Sequence, residues 1–164
     1  MRLLHGTNED IVSVDLNHCG PHNDFGRGFY LTPSWQRAWE MGRRRKNSKG
    51  GEIVVNAFSF SPEEAHKKGL KVLHFKSFSV DWARFVIKNR ESKNSVHDYD
   101  IVIGPVADAV FDRVLAQYKS EAGEAYLSDT HLTSFIGRVS QFGINYIQYC
   151  FCTEASLKVL HKEK

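Results

Sequence analysis

The chain has 164 residues, 41% hydrophobic and 25% charged, and its 22 Lys+Arg against 19 Asp+Glu leave a net charge of +3. That length and balance predict one globular domain, residues 1–164, able to bury a core; they exclude a disordered chain, and no apolar run is long enough to span a membrane. The mild positive balance permits an anionic partner without requiring one. The opening MRLLHGTNED lacks a signal-peptide pattern. Cys19, Cys150 and Cys152 form an odd set, two of them inside a strand-like run. They predict a reducing, cytoplasmic setting rather than a disulfide framework.

In chain order, RLLHG at 2–6 reads as a short strand, followed by a polar, irregular stretch over 8–23. Residues 27–31 read as a second strand, closed by Thr32 as helix N-cap and Pro33 at the first helical position. The helix expected over 33–46 carries an inward face of Trp35, Ala38, Trp39 and Gly42. NSKGG reads as a loop, and EIVVNAFSF at 52–60 as the clearest strand. Ser61-Pro62 opens a short helix that ends near Gly69. A strand is expected at 71–75, then a helix over 79–90 with Trp82, Phe85 and Val86 inward. Residues 98–104 read as a strand. The helix over 106–119 turns Val106, Val110, Phe111 and Val114 to the core. Residues 121–129 have no clear pattern; 130–141 read as a helix, 145–152 as the last strand, and EASLKVL as a terminal helix capped by Thr153. Strands and helices without regular βαβ alternation predict an α+β domain with a mixed or largely antiparallel sheet.

The stretch DFGRGFYLT, 24–32, has the character of a binding cleft. Gly26 and Gly28 allow a ligand close to the backbone, and the Tyr30 ring beside them can stack on a flat group. Without a third glycine and a following helix they are not a dinucleotide fingerprint. Taken singly, His5 reads better as a hydrogen-bonded turn histidine and Tyr30 as a core-edge tyrosine. Gln148 interrupts an apolar strand, so its amide is either paired to backbone or aimed into a site; alternation puts Tyr146, Gln148, Cys150 and Cys152 on one face. Asp98, Asp100 and Asp108 read first as turn and cap carboxylates, the latter two also as secondary site candidates. His18, Cys19 and His22 lack a fourth zinc ligand, so no metal is expected. Arg43, Arg44, Arg45 and Lys46 read as charges that favour the end of a helix dipole, with a nucleic-acid patch as the rival reading.

Together, LLHGT at 3–7, DFGRGFYLT at 24–32, YDIVIGPVAD at 99–108 and QYCFCTEASLKVL at 148–160 resemble the ADP-ribosyltransferase superfamily. The branch is the histidine-tyrosine-acid one of diphtheria-toxin-like and poly-ADP-ribose-polymerase-like enzymes, and within it a family of small bacterial domains. The resemblance implies a split mixed sheet gripping NAD as substrate. His5 would hold the adenosine-side ribose, the Gly6 backbone the nicotinamide amide, and Tyr30 the nicotinamide ring, with Thr7, Gly26 and Gly28 completing the NAD site. It also implies transfer of ADP-ribose to a macromolecular acceptor, protein or nucleic acid, in a toxin-type role with an antitoxin as partner. The glutamate usual in the third motif is replaced here by Gln148. Cleaving the nicotinamide–ribose bond develops an oxocarbenium-like cation that a carboxylate would stabilise. An amide accepts a ribose hydroxyl but carries no charge and is no base. Asp100, Asp108 and Glu154 are the acids that could assist, and a binding module for NAD or ADP-ribose without turnover is the alternative.

Overall fold

Seven strands and six α-helices make up the computed structural model, which describes residues 1–141 and 146–163. One sheet is antiparallel, with strand order β1 (Arg2–Thr7), β3 (Val54–Phe60), β7 (Leu160–Lys162). The other is mixed, in the order β2 (Phe29–Leu31), β6 (Ile147–Phe151), β5 (Ile101–Pro105), β4 (Val72–His74), with only the β4–β5 pair parallel. The domain is therefore α+β. The sheets meet where Leu4 and Thr32 exchange two backbone hydrogen bonds, of 2.8 and 2.9 Å.

Alternation along the strands sends side chains to two large cores and a small third cluster of Leu4, Ala38 and Ala57. Leu3 and Phe58 of the first sheet pack with Phe29, Leu31, Ile103 and Phe151 of the second. The opposite face of the second sheet gives Val102 and Cys150 to a larger core. Helices α3 (Val80–Glu91), α4 (Ala109–Ala122) and α5 (Asp129–Val139) fill it with Trp82, Val86, Phe111 and Phe135, none exposed. Helix α1 (Trp35–Lys49) lies on β1 through Ala38 and Gly42. A side chain at Gly6 would run into the Ala38 carbonyl and lie 2.8 Å from the Gly42 nitrogen, so this bare residue is what allows the helix so near the strand.

Several expected boundaries move. The N-cap of α1 is Ser34, whose hydroxyl accepts from the Arg37 N–H at 3.2 Å. Thr32, expected there, instead bridges to Leu4 just past β2, and its hydroxyl donates to the Ile147 carbonyl at 2.9 Å. The apolar face of α1 is narrower than expected: Ala38 and Gly42 are buried, but Trp35 is 60% exposed, because β1 covers only the small residues. The helix also absorbs most of the expected loop after residue 46. Val106 is buried ahead of α4 rather than on it, while Phe111 and Tyr118 supply that helix's buried face. Residues 123–127 form a 3-10 turn. The terminal helix α6 stops at Leu157 (Glu154–Leu157), and Leu160 belongs to β7, which pairs with Phe60. A strand of three residues exists only because the β3 edge is there to receive it. Short helix α2 (Pro62–Lys67) follows the expected Ser-Pro start. Asn145, read as the start of the last strand, lies outside the described residues.

Candidate functional site

The block from Asp24 to Tyr30 folds over the helical face of the second sheet and is closed by its own tyrosine. The Tyr30 hydroxyl accepts from the Phe25 N–H at 2.9 Å and donates to the Gly26 carbonyl at 2.8 Å. Gly26 turns the chain at φ 79°. At Gly28 a side chain would strike Cys150 Sγ and lie 2.8 Å from the Phe151 carbonyl, so the closeness of β6 requires glycine there. Burial, with the neighbouring Cys150 and Asp24, pushes the Tyr30 phenol well above its usual range, so it stays protonated and able to donate. Burial likewise holds the Cys150 thiol well above the range of a reactive thiolate.

Tyr30 sits opposite Cys150, and Gln148 is two residues further along β6 on the same face. That places the phenol ring and the amide as diagonal neighbours across adjacent strands. Gln148 is 9% exposed. Its terminal nitrogen lies 2.6 Å from Asp24 Oδ2 and 3.4 Å from the Pro105 carbonyl. Both partners are acceptors, so the atom facing them must be the NH2 and not the oxygen. The amide is thereby fixed with Oε1 turned away from Asp24. No partner for Oε1 is found among the described residues, and none of their buried side-chain polar atoms is left unpaired.

Asp24, 7% exposed, is the centre of this arrangement. Oδ1 accepts from Arg90 Nε at 2.9 Å and Nη2 at 2.6 Å; Oδ2 accepts from the Ala107 N–H at 2.8 Å as well as from Gln148. Arg90 also pairs with Asp112, donates to the Ala107 carbonyl at 2.8 Å, and lies over the Phe111 ring. Burial lowers the Arg90 pKa, but the charges and hydrogen bonds of Asp24 and Asp112 outweigh it, and the guanidinium is held above its ordinary value. The result is a neutralised buried carboxylate that holds the Ala107 N–H and the Gln148 amide.

His5 stands on the other side of the seam. Its Nδ1 is 2.7 Å from the Tyr30 carbonyl, and its ring packs on Phe29 with centroids 4.6 Å apart. Phe29 and Tyr30 alternate across β2, so the imidazole lies on the face opposite the phenol and the amide. Burial, opposed in part by the Tyr30 hydrogen bond and aided by the Arg45 charge, lowers the His5 pKa below the usual histidine value.

Residues 1–162 match the model of a family described as a protein of unknown function, DUF3990. The chain belongs to that family. Neither a curated protein nor a solved structure matches it.

The acids expected to assist Gln148 in this DUF3990 domain lie elsewhere. Asp100 accepts from Thr153 Oγ1 at 2.6 Å and from the Lys71 N–H at 2.8 Å, tying the end of β6 to the start of β4. Asp108 caps α4, accepting from the Val110 and Phe111 N–H groups at 2.9 and 3.2 Å. Glu154 opens α6 and lines a separate cavity of about 380 Å³ with Val12, Phe58 and Lys158. Thr7 is buried at the end of β1. The acid beside Gln148 is Asp24, which sequence reasoning passed over. The available signal was a carboxylate opening a glycine-aromatic block, with Arg90 in an otherwise amphipathic helix as its partner.

Proposed function

We propose that the domain binds NAD against the Gln148 face of β6 and transfers its ADP-ribose to a macromolecular acceptor, the activity the four-block resemblance implies, with His5, on the opposite face, left out of that grip. The observation that carries this reading is the fixed Gln148 amide. Its nitrogen is engaged by Asp24, and among the described residues its oxygen has no partner, on the face it shares with Tyr30. A ribose hydroxyl is the donor such an oxygen suits. The adjacent carboxylate polarises the amide through Nε2 and raises the negative charge on Oε1, which favours an oxocarbenium-like centre beside it. Since no ionised carboxylate is free at that position, deprotonation of the acceptor falls to the acceptor itself or to solvent. The reading therefore suits an acceptor that is already a good nucleophile.

A second reading, an NAD- or ADP-ribose-binding domain without turnover, is favoured by the same pairing: Arg90 neutralises the one acid at the site. Incubation of the purified chain with NAD, nicotinamide release followed by chromatography, and label transfer into a lysate separate the two. Transfer lost on Gln148→Ala supports the transferase. Calorimetric binding of NAD that is recovered intact supports the binding domain. No binding and no release overturns both.

A further inference from the structure

Two expectations about α1 fail in a way that points to one surface. Of Arg43, Arg44, Arg45 and Lys46, expected at the helix C-terminus, only Lys46 lies in the last turn, with Lys49, because the helix runs on to Lys49. The three arginines are exposed, and among the described residues their side chains make no ion pair or hydrogen bond. Trp35, expected in the core, is 60% exposed. It stacks on Trp39 one turn along, with ring centroids 6.4 Å apart and planes 21° from parallel, and Arg43, a further turn on, lies 5.3 Å over the Trp39 ring. Residues 35, 39 and 43 thus form a continuous ridge of flat faces at i, i+4, i+8.

We propose that this ridge is a binding site for single-stranded nucleic acid. An exposed indole offers a nucleobase a stacking face of any sequence, and neighbouring unpaired guanidinium groups suit phosphates. A duplex keeps its base faces covered, so the indoles would add little to duplex binding. A membrane surface would need a broad apolar face, and this ridge is flanked by Gln36, Glu40 and Arg44. An acidic protein could use the arginines but has less use for a bare aromatic ladder. The proposal stands without the NAD reading, because binding is measured with no NAD present; failure of one leaves the other untouched.

The test is fluorescence anisotropy with fluorescein-labelled 12-mers of dT and rU, a blunt 12-base-pair duplex, and vesicles containing phosphatidylserine, over a salt series. The expected result is saturable binding of the single strands, weaker binding of the duplex, and tryptophan quenching on saturation. Trp35→Ala, at an exposed position, weakens binding at least about fivefold. Replacing Arg43, Arg44 and Arg45 together by Ala flattens the log K against log salt slope by about 2. Where Trp39→Ala unfolds the chain, Trp35→Ala and Trp39→Phe carry the comparison. Absence of single-strand binding at low salt overturns the proposal. So does equal affinity for the duplex, vesicle binding in its place, or binding that ignores loss of the Trp35 indole.

Discussion

Replacing Gln148 by Glu would restore the acid common to the resembled enzymes, yet here it should damage the fold. The introduced carboxylate would meet Asp24 Oδ2 where the amide nitrogen now sits at 2.6 Å. Two like charges with centres roughly 4 Å apart repel by about 4 kcal/mol at an effective dielectric of 20. Arg90 offsets part of this, but its hydrogen bonds are already committed to Asp24 and Asp112. The variant's cheapest escape is to keep the new carboxyl protonated, with a folded-state pKa above the unfolded value of about 4.3. The folded state then binds more protons than the unfolded state above that pH. Stability relative to wild type therefore falls as pH rises from about 4.3, by up to about 1.4 kcal/mol per unit, until the folded pKa is passed. Urea melts of both proteins between pH 4.5 and 8 measure this. A second change, Asp24→Asn, should recover part of the loss by removing the like charge, at the cost of an acceptor for the Ala107 N–H. A Gln148→Glu protein with the wild-type pH profile would refute the assigned amide orientation and the role given to Asp24.

Three further outcomes are expected. Arg90→Met leaves Asp24 buried without its cation and should cost about 3 kcal/mol or more in urea unfolding, less when Asp24→Asn is added. Tyr30→Phe deprives the Phe25 N–H and the Gly26 carbonyl of their partner and should cost about 1–3 kcal/mol, read as a lowered thermal midpoint; an unchanged midpoint would mean the hydroxyl does not close the turn. His5 has a folded pKa below its unfolded value of about 6.5, so its contribution is fully present above that pH and is lost as pH falls toward the lowered value. Unfolding free energies from pH 7.5 to 5 should show this slope in wild type, and a His5→Gln protein that keeps the whole slope would contradict it.

The long elements were legible because their patterns are local. Trp82 and Val86 mark the buried stripe of α3, and Ser61-Pro62 fixes the start of α2. What escaped depends on distant partners. Leu160 to Lys162 has no strand pattern of its own and becomes β7 only against Phe58 to Phe60, about a hundred residues earlier. Trp35 follows helical spacing like Ala38, but the strand beneath α1 is wide enough for the small residues alone. Asp24 looked like a turn residue because its burial is made tolerable by Arg90, 66 positions away, and by the Ala107 N–H. Gln148 was recognised as out of place in an apolar strand, but the atom it points at could not be read from one dimension.

Over their shared core, the hydrogen bonds that join the two sheets along β1 and β2 among the described residues are the reciprocal Leu4 and Thr32 amides and the imidazole on the Tyr30 carbonyl. That makes the join a natural strain gauge. Deuterium uptake at those two amides reports how readily the halves part, and a guest that wedges them open will quicken it while the five-rung ladder between β5 and β6 keeps its own pace.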